Sequence, residues 1–303
     1  MCATCGCSGS AVIWSPGAGE PLRAGGDGPR DGTGHDRDRG HEHGHDGQYG
    51  HDQQHGHVHL PDGSHADDRG AAAGQDEAGR TVALQQKVLA KNDEIAQRNR
   101  EWLCERGIFA VNLMSSPGAG KTTLLERAGR ELAGRLAVSV IEGDQETALD
   151  ADRIRSAGCQ VVQINTGAGC HLDAAMVSRA LRTLDLPRGS VVMIENVGNL
   201  VCPALFDLGE AARVVLASVT EGTDKPLKYP QMFRSADLVV ITKTDLMPYV
   251  DFDAARCGDY VGQVSPQATM IHLSAVTGSG MQQWYDWLLS RVPAPAADGV
   301  PRS

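Results

Sequence analysis

Residues 108–123 read IFAVNLMSSPGAGKTT. The apolar run Ile108 to Met114 has the character of a buried parallel strand. It breaks at Ser115-Ser116-Pro117-Gly118-Ala119-Gly120, and Lys121-Thr122-Thr123 then opens an amphipathic helix. Strand, glycine loop and helix N-terminus in that order make a phosphate-binding loop. Gly118 and Gly120, with Ala119 between them, let backbone N–H groups turn around phosphate oxygens. Lys121 supplies a point charge for the terminal phosphates, Thr122 offers a hydroxyl to Mg²⁺, and Thr123 continues the first helical turn. The full G-x-x-x-x-G-K-[ST] pattern asks for glycine at position 115, where this chain has Ser115.

Outward from this loop, the 303 residues divide unevenly. Residues 1–80 are rich in Gly, Asp and His and poor in large apolar side chains, so they are expected to stay disordered without metal. Residues 81–107 carry Leu84, Val88, Ile95 and Trp102 at helical spacing and end in Gly107, which predicts one amphipathic helix packed on the following domain. Residues 108–292 alternate apolar runs with helical segments. The fold class expected is α/β, a P-loop NTPase domain with a mostly parallel sheet of about seven strands flanked by helices. Residues 293–303 read as a loose tail.

A net charge of −10 argues against a nucleic-acid partner. The chain has no apolar run near the ~20 residues that span a bilayer and no secretory leader pattern, which predicts a cytoplasmic protein without membrane insertion. Its eight cysteines are then expected to be reduced, and clustered ones suggest metal ligands before disulfides. Cys2, Cys5 and Cys7 lie within six residues and suit Ni, Zn or Cu(I), with a redox cluster as the alternative. His35, His41, His43, His45, His51, His55, His57, His59 and His65 follow, dispersed among Asp, Gly and Gln. Such a tract reads as a metal store or as a solvated linker.

Ligands bind at the C-terminal edge of open α/β sheets. Two acidic residues are delivered there. Asp144 is a candidate Mg²⁺ or water-positioning carboxylate, and Glu195, with Gly198 three positions on, has the form of a γ-phosphate-sensing switch. A further strand runs into Thr242-Lys243-Thr244-Asp245, where Asp245 can accept two hydrogen bonds from guanine and Lys243 lies along the base. That favours GTP over ATP. Thr242 stands where N-K-x-D has Asn, a change expected to loosen the loop, and Ser274-Ala275 is similar to a second guanine-contacting loop. Cys170-His171 and Cys202 also follow strands of the sheet, and can converge as a soft three-ligand set or be structural. Cys104, Cys159, Cys257 and His272 have no partners by spacing.

The motifs SSPGAGKTT, EGDQETALDADRI, NTGAGCHLDA, ENVGNLVCP, TEGTDKPLKYP and TKTDL occur in this order over residues 81–291. Together they resemble the HypB family, the nickel-incorporation GTPases of [NiFe]-hydrogenase maturation. The resemblance implies a slow, GTP-dependent homodimer that passes Ni²⁺, with a HypA-type chaperone, to the hydrogenase large-subunit precursor. It implies a tight nickel site at Cys2, Cys5 and Cys7, and a Ni²⁺ or Zn²⁺ site at Cys170, His171 and Cys202. Lys121, Thr122, Asp144 and Asp245 match positions that serve phosphate, Mg²⁺ and guanine, and Lys225 is expected to reach the neighbouring subunit's phosphates. A P-loop metallochaperone for urease or a cobalamin enzyme shares the nucleotide domain but does not predict the Cys170-His171 and Cys202 pair. A metal store and an ATP-dependent kinase are further alternatives.

Overall fold

All seven residues of Phe109–Ser115 are buried, as an apolar strand covered on both faces must be. The computed structural model describes residues 12–14, 69–144 and 149–293, with side chains from residue 83 onward. Cys2, Cys5, Cys7 and the nine clustered histidines lie outside the described residues.

The strands are β1 (Val12–Trp14), β2 (Phe109–Ser115), β3 (Val138–Asp144), β4 (Gln160–Asn165), β5 (Val191–Glu195), β6 (Ala212–Ser218), β7 (Leu238–Thr242) and β8 (Thr269–His272). Their spatial order is β1-β4-β3-β5-β2-β6-β7-β8. From β2 to β8 every pairing is parallel, which gives the seven-stranded sheet expected. β1 is an addition that composition did not foretell: it pairs antiparallel with β4 along the sheet edge, Ile13 opposite Ile164.

The helices are α1 (Arg69–Glu105), α2 (Lys121–Leu132), α3 (Leu149–Ser156), α4 (Ala174–Leu181), α5 (Lys225–Lys228), α6 (Pro230–Arg234), α7 (Ala254–Val264) and α8 (Met281–Leu289). Alternation along β2 sends Phe109, Val111 and Leu113 into one core with Leu124, Leu125 and Leu132 of α2 and Trp284 of α8. Ala110 faces the opposite side, where Leu103 of α1 and Val177 and Leu181 of α4 close a second core. Met114, on that same side, packs with Met232 and Phe233 of α6 and Val261 of α7. Each fully buried leucine contributes about 2 kcal/mol of apolar burial, so the sheet is held firmly from both faces.

Two boundaries differ from the sequence reading, in which the strand before Asp144 runs from Leu136 to Ile141 and the helix starts at residue 81. Glu142, Gly143 and Asp144 belong to β3, because they pair with Gln163, Ile164 and Asn165 of β4. Helix α1 begins at Arg69, ahead of residue 81, and its apolar stripe packs only in its C-terminal half, where Trp102 lies against the core and Ile95 is half-buried. Leu84 is 65% and Val88 50% exposed, whereas Asn92, Ala96, Asn99 and Leu103 are buried.

By contacts, one unit comprises Met1–Ala24 with Leu84–Ser303 and contains the sheet. The other is Gly25–Ala83, whose described part is helical.

Candidate nucleotide and metal site

The phosphate-binding loop turns through Gly118 at φ 74° and Gly120 at φ 98°, left-handed conformations that favour glycine. Gly120 caps α2, so Lys121 and Thr122 begin the helix with their side chains in a cleft of about 450 Å³. Ser115, at the position where the general pattern has glycine, is fully buried and accepts from Lys121 Nζ at 2.8 Å. Burial lowers the Lys121 pKa, and the neighbouring Glu195, Asp150, Glu221 and Glu142 partly offset that.

Four carboxylates face the same cleft: Glu142, Asp144, Asp150 and Glu195. Thr122 Oγ1 donates to Glu195 Oε1 at 2.8 Å and lies 3.1 Å from Asp150 Oδ2. Burial, then the charges of Glu195, Asp144 and Asp150, pushes the Glu142 carboxyl up to about 9. Burial likewise raises Glu195 to about 7 against the opposing pull of Lys121 and the Thr122 hydroxyl. One oxygen of each, Glu142 Oε2 and Glu195 Oε2, is buried with no hydrogen-bond partner. Unpartnered hard oxygen donors beside a phosphate cradle suit Mg²⁺. The motif reading gave roles to Asp144 and Glu195, which the fold brings to one cleft; it gave none to Glu142, two residues before Asp144, and missed Asp150.

At the base end, Lys243 adopts φ 57° and its chain passes over Gly120, where an added Cβ would lie 3.9 Å from Lys243 Cε. Asp245 Oδ1 is buried without a partner, as a carboxylate awaiting two donors would be. Thr242 does not loosen the loop: its buried hydroxyl donates to the Ala119 carbonyl at 2.7 Å, joining β7 to the phosphate loop. Arg127 of α2 donates to the carbonyls of Ala275 and Val276, each at 3.0 Å. Glu131 pairs with Arg127 at 2.7 Å and accepts from Tyr285 Oη at 2.6 Å. Ser274-Ala275 is thus tied to the helix that opens at Lys121.

Lys225 pairs with Glu221 at 3.3 Å, and Glu221 also accepts the Ser116 hydroxyl. Within one chain, Lys225 is therefore tethered beside the phosphate loop.

Cys170, His171 and Cys202 come together, their ligand atoms all within 4.8 Å of one another. Cys170 Sγ lies 3.6 Å from His171 Nδ1. Asn199 Oδ1 accepts from Val201 N at 2.7 Å and Cys202 N at 3.2 Å, folding the turn that aims Cys202 inward. His171 stacks on Phe206 with centroids 3.9 Å apart. Burial lowers the His171 pKa despite Asp173, which keeps the imidazole neutral and able to ligate. Two thiols and a neutral imidazole are soft donors, suited to Ni²⁺ or Zn²⁺. Among the described cysteines, Cys159 is buried in the core with Leu124 and Trp284, Cys257 in the cluster with Met114 and Phe233, and Cys104 is exposed.

The loop that carries Cys170 and His171 rests on the nucleotide cleft. Thr166 N donates to the Asp144 carbonyl at 2.8 Å. A Cβ on Gly143 would meet the Leu172 side chain at 2.9 Å. Asn196, next to Glu195, accepts from Leu172 N at 3.2 Å and donates to Asn112 Oδ1 at 3.2 Å.

The model of the CobW/HypB/UreG nucleotide-binding domain matches residues 109–272. The hydrogenase maturation factor HypB of Rhizobium leguminosarum bv. viciae is 53% identical over 209 residues, 69% of this chain and 70% of that protein. The crystal structure of HypB from Archaeoglobus fulgidus superimposes with a TM-score of 0.64 at 40% identity, over 68% of this chain and 100% of that one. HypB from Helicobacter pylori in complex with nickel gives 0.64 at 37% identity, over 68% of this chain and 99% of that one. With a phosphate loop, a guanine-type carboxylate and a Cys/Cys/His cluster on one sheet edge, the chain belongs to the HypB family of hydrogenase maturation GTPases.

Proposed function

We propose that this GTPase carries Ni²⁺ to the [NiFe]-hydrogenase large-subunit precursor in the cytoplasm, and that its nucleotide state sets the nickel affinity of Cys170, His171 and Cys202. One observation carries this reading: the loop bearing Cys170 and His171 is bonded to both acidic ends of the nucleotide cleft, through Thr166 to Asp144 and through Leu172 to Asn196. The relative from Helicobacter pylori was solved with nickel, which supports that metal as the cargo.

In this mechanism Lys121 leaves Ser115 for the β- and γ-phosphates, and Thr122 turns from Glu195 toward the phosphate side of the cleft. Thr122 with Asp144 or Glu195 would hold Mg²⁺, which when bound would neutralise the charge that gathers on the phosphates. Glu195 orients the water whose oxygen bonds to the γ-phosphorus as the bond to the β–γ bridging oxygen breaks; the bridging oxygen leaves on GDP and the water's proton leaves with the phosphate product. Asp245 and Lys243 hold the guanine, with Ser274-Ala275 closing over it. Loss of the γ-phosphate frees Glu195, and Asn196 passes that movement to Leu172 and the cluster. Shifting a site from nearly full to nearly empty takes about 5.5 kcal/mol of differential binding, so a HypA-type partner contributes at release.

GTP favours a homodimer in which Lys225 reaches the partner's phosphates. Val201 and Leu205, 51% and 39% exposed beside Cys202, supply apolar surface for that contact. Cys2, Cys5 and Cys7 are the high-affinity nickel ligands of the N-terminal segment, and the histidine tract is a reserve. Zn²⁺ competes for the interface cluster.

The test is Ni²⁺ and Zn²⁺ titration of the parent and Cys202→Ala, each with GDP and with a non-hydrolysable GTP analogue, while light scattering follows mass. The expected result is nucleotide-dependent affinity and dimerisation in the parent, with the metal effect lost in Cys202→Ala. Metal binding indifferent to both nucleotide and Cys202 overturns coupled delivery in favour of storage.

A further inference from the structure

Helix α1 buries two asparagines on its packed face, Asn92 and Asn99, seven positions apart and on the same side. Asparagine is a poor helix former, and its amide costs free energy in a core unless every polar atom is paired. A helix that had only to adhere would bury leucine there. The partners explain the choice.

Asn99 Nδ2 donates to the carbonyl of Ala174 at 2.8 Å and to that of Leu208 at 3.0 Å. Asn92 Nδ2 donates to the carbonyl of Asp207 at 2.7 Å, and Asn92 Oδ1 accepts from Ala174 N at 2.9 Å. Each amide thus spans the same two segments. Ala174 opens α4 three residues after His171. Asp207 and Leu208 follow Phe206, the ring stacked on His171, and end the turn that starts at Cys202. Arg100 adds a third tie, with Nη2 2.7 Å from each Asp207 carboxylate oxygen. The helix and this turn are in close contact: a Cβ on Gly209 would lie 2.5 Å from the Ala96 carbonyl.

We propose that α1 is a clamp for the metal cluster: Asn92 and Asn99 are positioning residues that fix the spacing between the Cys170-His171 segment and the Cys202 segment, and so set nickel affinity. This rests on the reading of Cys170, His171 and Cys202 as a nickel site. The cargo's ligands come from two loops separated in sequence, and soft donors grip an ion only when their separation is held. Outer-shell groups that orient ligands in this way typically carry tenfold to hundredfold in metal affinity. The clamp touches neither the phosphates nor the base, so removing it leaves the nucleotide end intact.

The experiment uses the full chain carrying Cys2→Ala, Cys5→Ala and Cys7→Ala. Thiolate-to-nickel charge-transfer absorption then reports the Cys170 and Cys202 cluster, and the histidine tract contributes none. Ni²⁺ is titrated into this parent, Asn99→Leu, Asn92→Ala and Cys202→Ala, with thermal melting and nickel-free GTP turnover measured alongside. The parent is expected to show a band that Cys202→Ala removes. In Asn99→Leu the band is expected to weaken and its midpoint to rise roughly tenfold, while GTP turnover stays within about twofold of the parent, well under 1 kcal/mol. If Asn99→Leu does not fold, Asn92→Ala carries the test, with a smaller shift in the same direction. An unchanged band and midpoint in the folded clamp variants overturns the clamp and leaves the metal site standing. A parent without a Cys202-dependent band overturns the metal site, and the clamp with it.

Discussion

The Oδ1 of Asn196 accepts the backbone N–H of Leu172 at 3.2 Å, so the residue after Glu195 in the nucleotide cleft holds the residue after His171 in the metal cluster. Its amide also donates to Asn112 Oδ1 on the central strand. On the proposed reading, a movement of the Glu195 segment reaches the Cys170-His171 segment through this side chain. In Asn196→Ala, Leu172 N and Asn112 Oδ1 lose their buried partner, at about 1–3 kcal/mol in urea unfolding. The ratio of nickel affinities with GTP analogue and with GDP is expected to fall toward one. A variant whose nickel affinity follows the nucleotide as the parent's does would place the coupling elsewhere.

Asp245 keeps Oδ1 buried and unpartnered. Guanine would supply the missing donors, and Asp245→Asn would meet them with an amide. The expected loss is about 1–3 kcal/mol, or roughly tenfold to hundredfold in the Kd for GTP. Xanthosine triphosphate should gain, because its C2 carbonyl accepts from the new amide. Calorimetric titration with both nucleotides decides it, and unchanged preference would remove Asp245 from base recognition.

Gly198 lies against the phosphate loop so closely that a Cβ would fall 2.9 Å from Pro117 Cα and 3.0 Å from Pro117 N. Backbone atoms on both sides cannot swing away as a side-chain tip can. Gly198→Ala is expected to cost about 1–3 kcal/mol of stability. Displacing the switch by a few tenths of an ångström should also slow single-turnover GTP hydrolysis at least tenfold, about 1.4 kcal/mol of barrier. Parent-like turnover would show that the switch needs no such close fit.

Burial acts to raise the Asp207 pKa, but the Arg100 hydrogen bond, the Gly209 N–H and the Arg100 and Arg213 charges outweigh it and hold Asp207 below its ordinary 3.8. A depressed carboxylate stabilises the fold above its unfolded pKa, and that contribution disappears as pH falls through the folded value. The pair is about one-third exposed, which limits it to about 1 kcal/mol. Asp207→Asn should therefore lower the melting temperature at pH 7 and have a shrinking effect at acid pH, as the pH falls through the depressed folded pKa. Equal destabilisation at neutral and acid pH would mean that the ion pair contributes nothing.

The nucleotide half of the site was legible because its chemistry is local: loop, lysine and threonine are contiguous, and Asp144 and Glu195 end strands whose order a parallel sheet dictates. Cys170, His171 and Cys202 could be paired from the same logic, each following a strand of one sheet. Glu142 was given no role and Asp150 was missed, because nothing next to them in sequence marks a carboxylate that only the pairing of β3 with β5 and the approach of α3 bring to the cleft. Thr242 was misjudged, since replacing an asparagine by a shorter side chain looks like a loss until the buried hydroxyl finds Ala119. Helix α1 misled more deeply. Periodicity finds an apolar side but not where along it the packing starts: residues 83–88 are exposed all round, so Leu84 and Val88 precede the packed part, which holds its partners partly by amides.

Arg127 links α2 to the Ala275-Val276 turn, and a Cβ on Gly278 would lie 2.5 Å from its guanidinium. The anchor for the phosphates and the wall for the base thus form one rigid jaw of a caliper. The facing wall, Asp144 with Glu195 and Asn196, is bonded to the segment that carries Cys170 and His171. On the proposed reading, cleavage of the terminal phosphate leaves that jaw with everything it grips in GDP, and the change is passed to the cysteines through the facing wall. The molecule can in this way report that its GTP is spent before it lets go of the remnant.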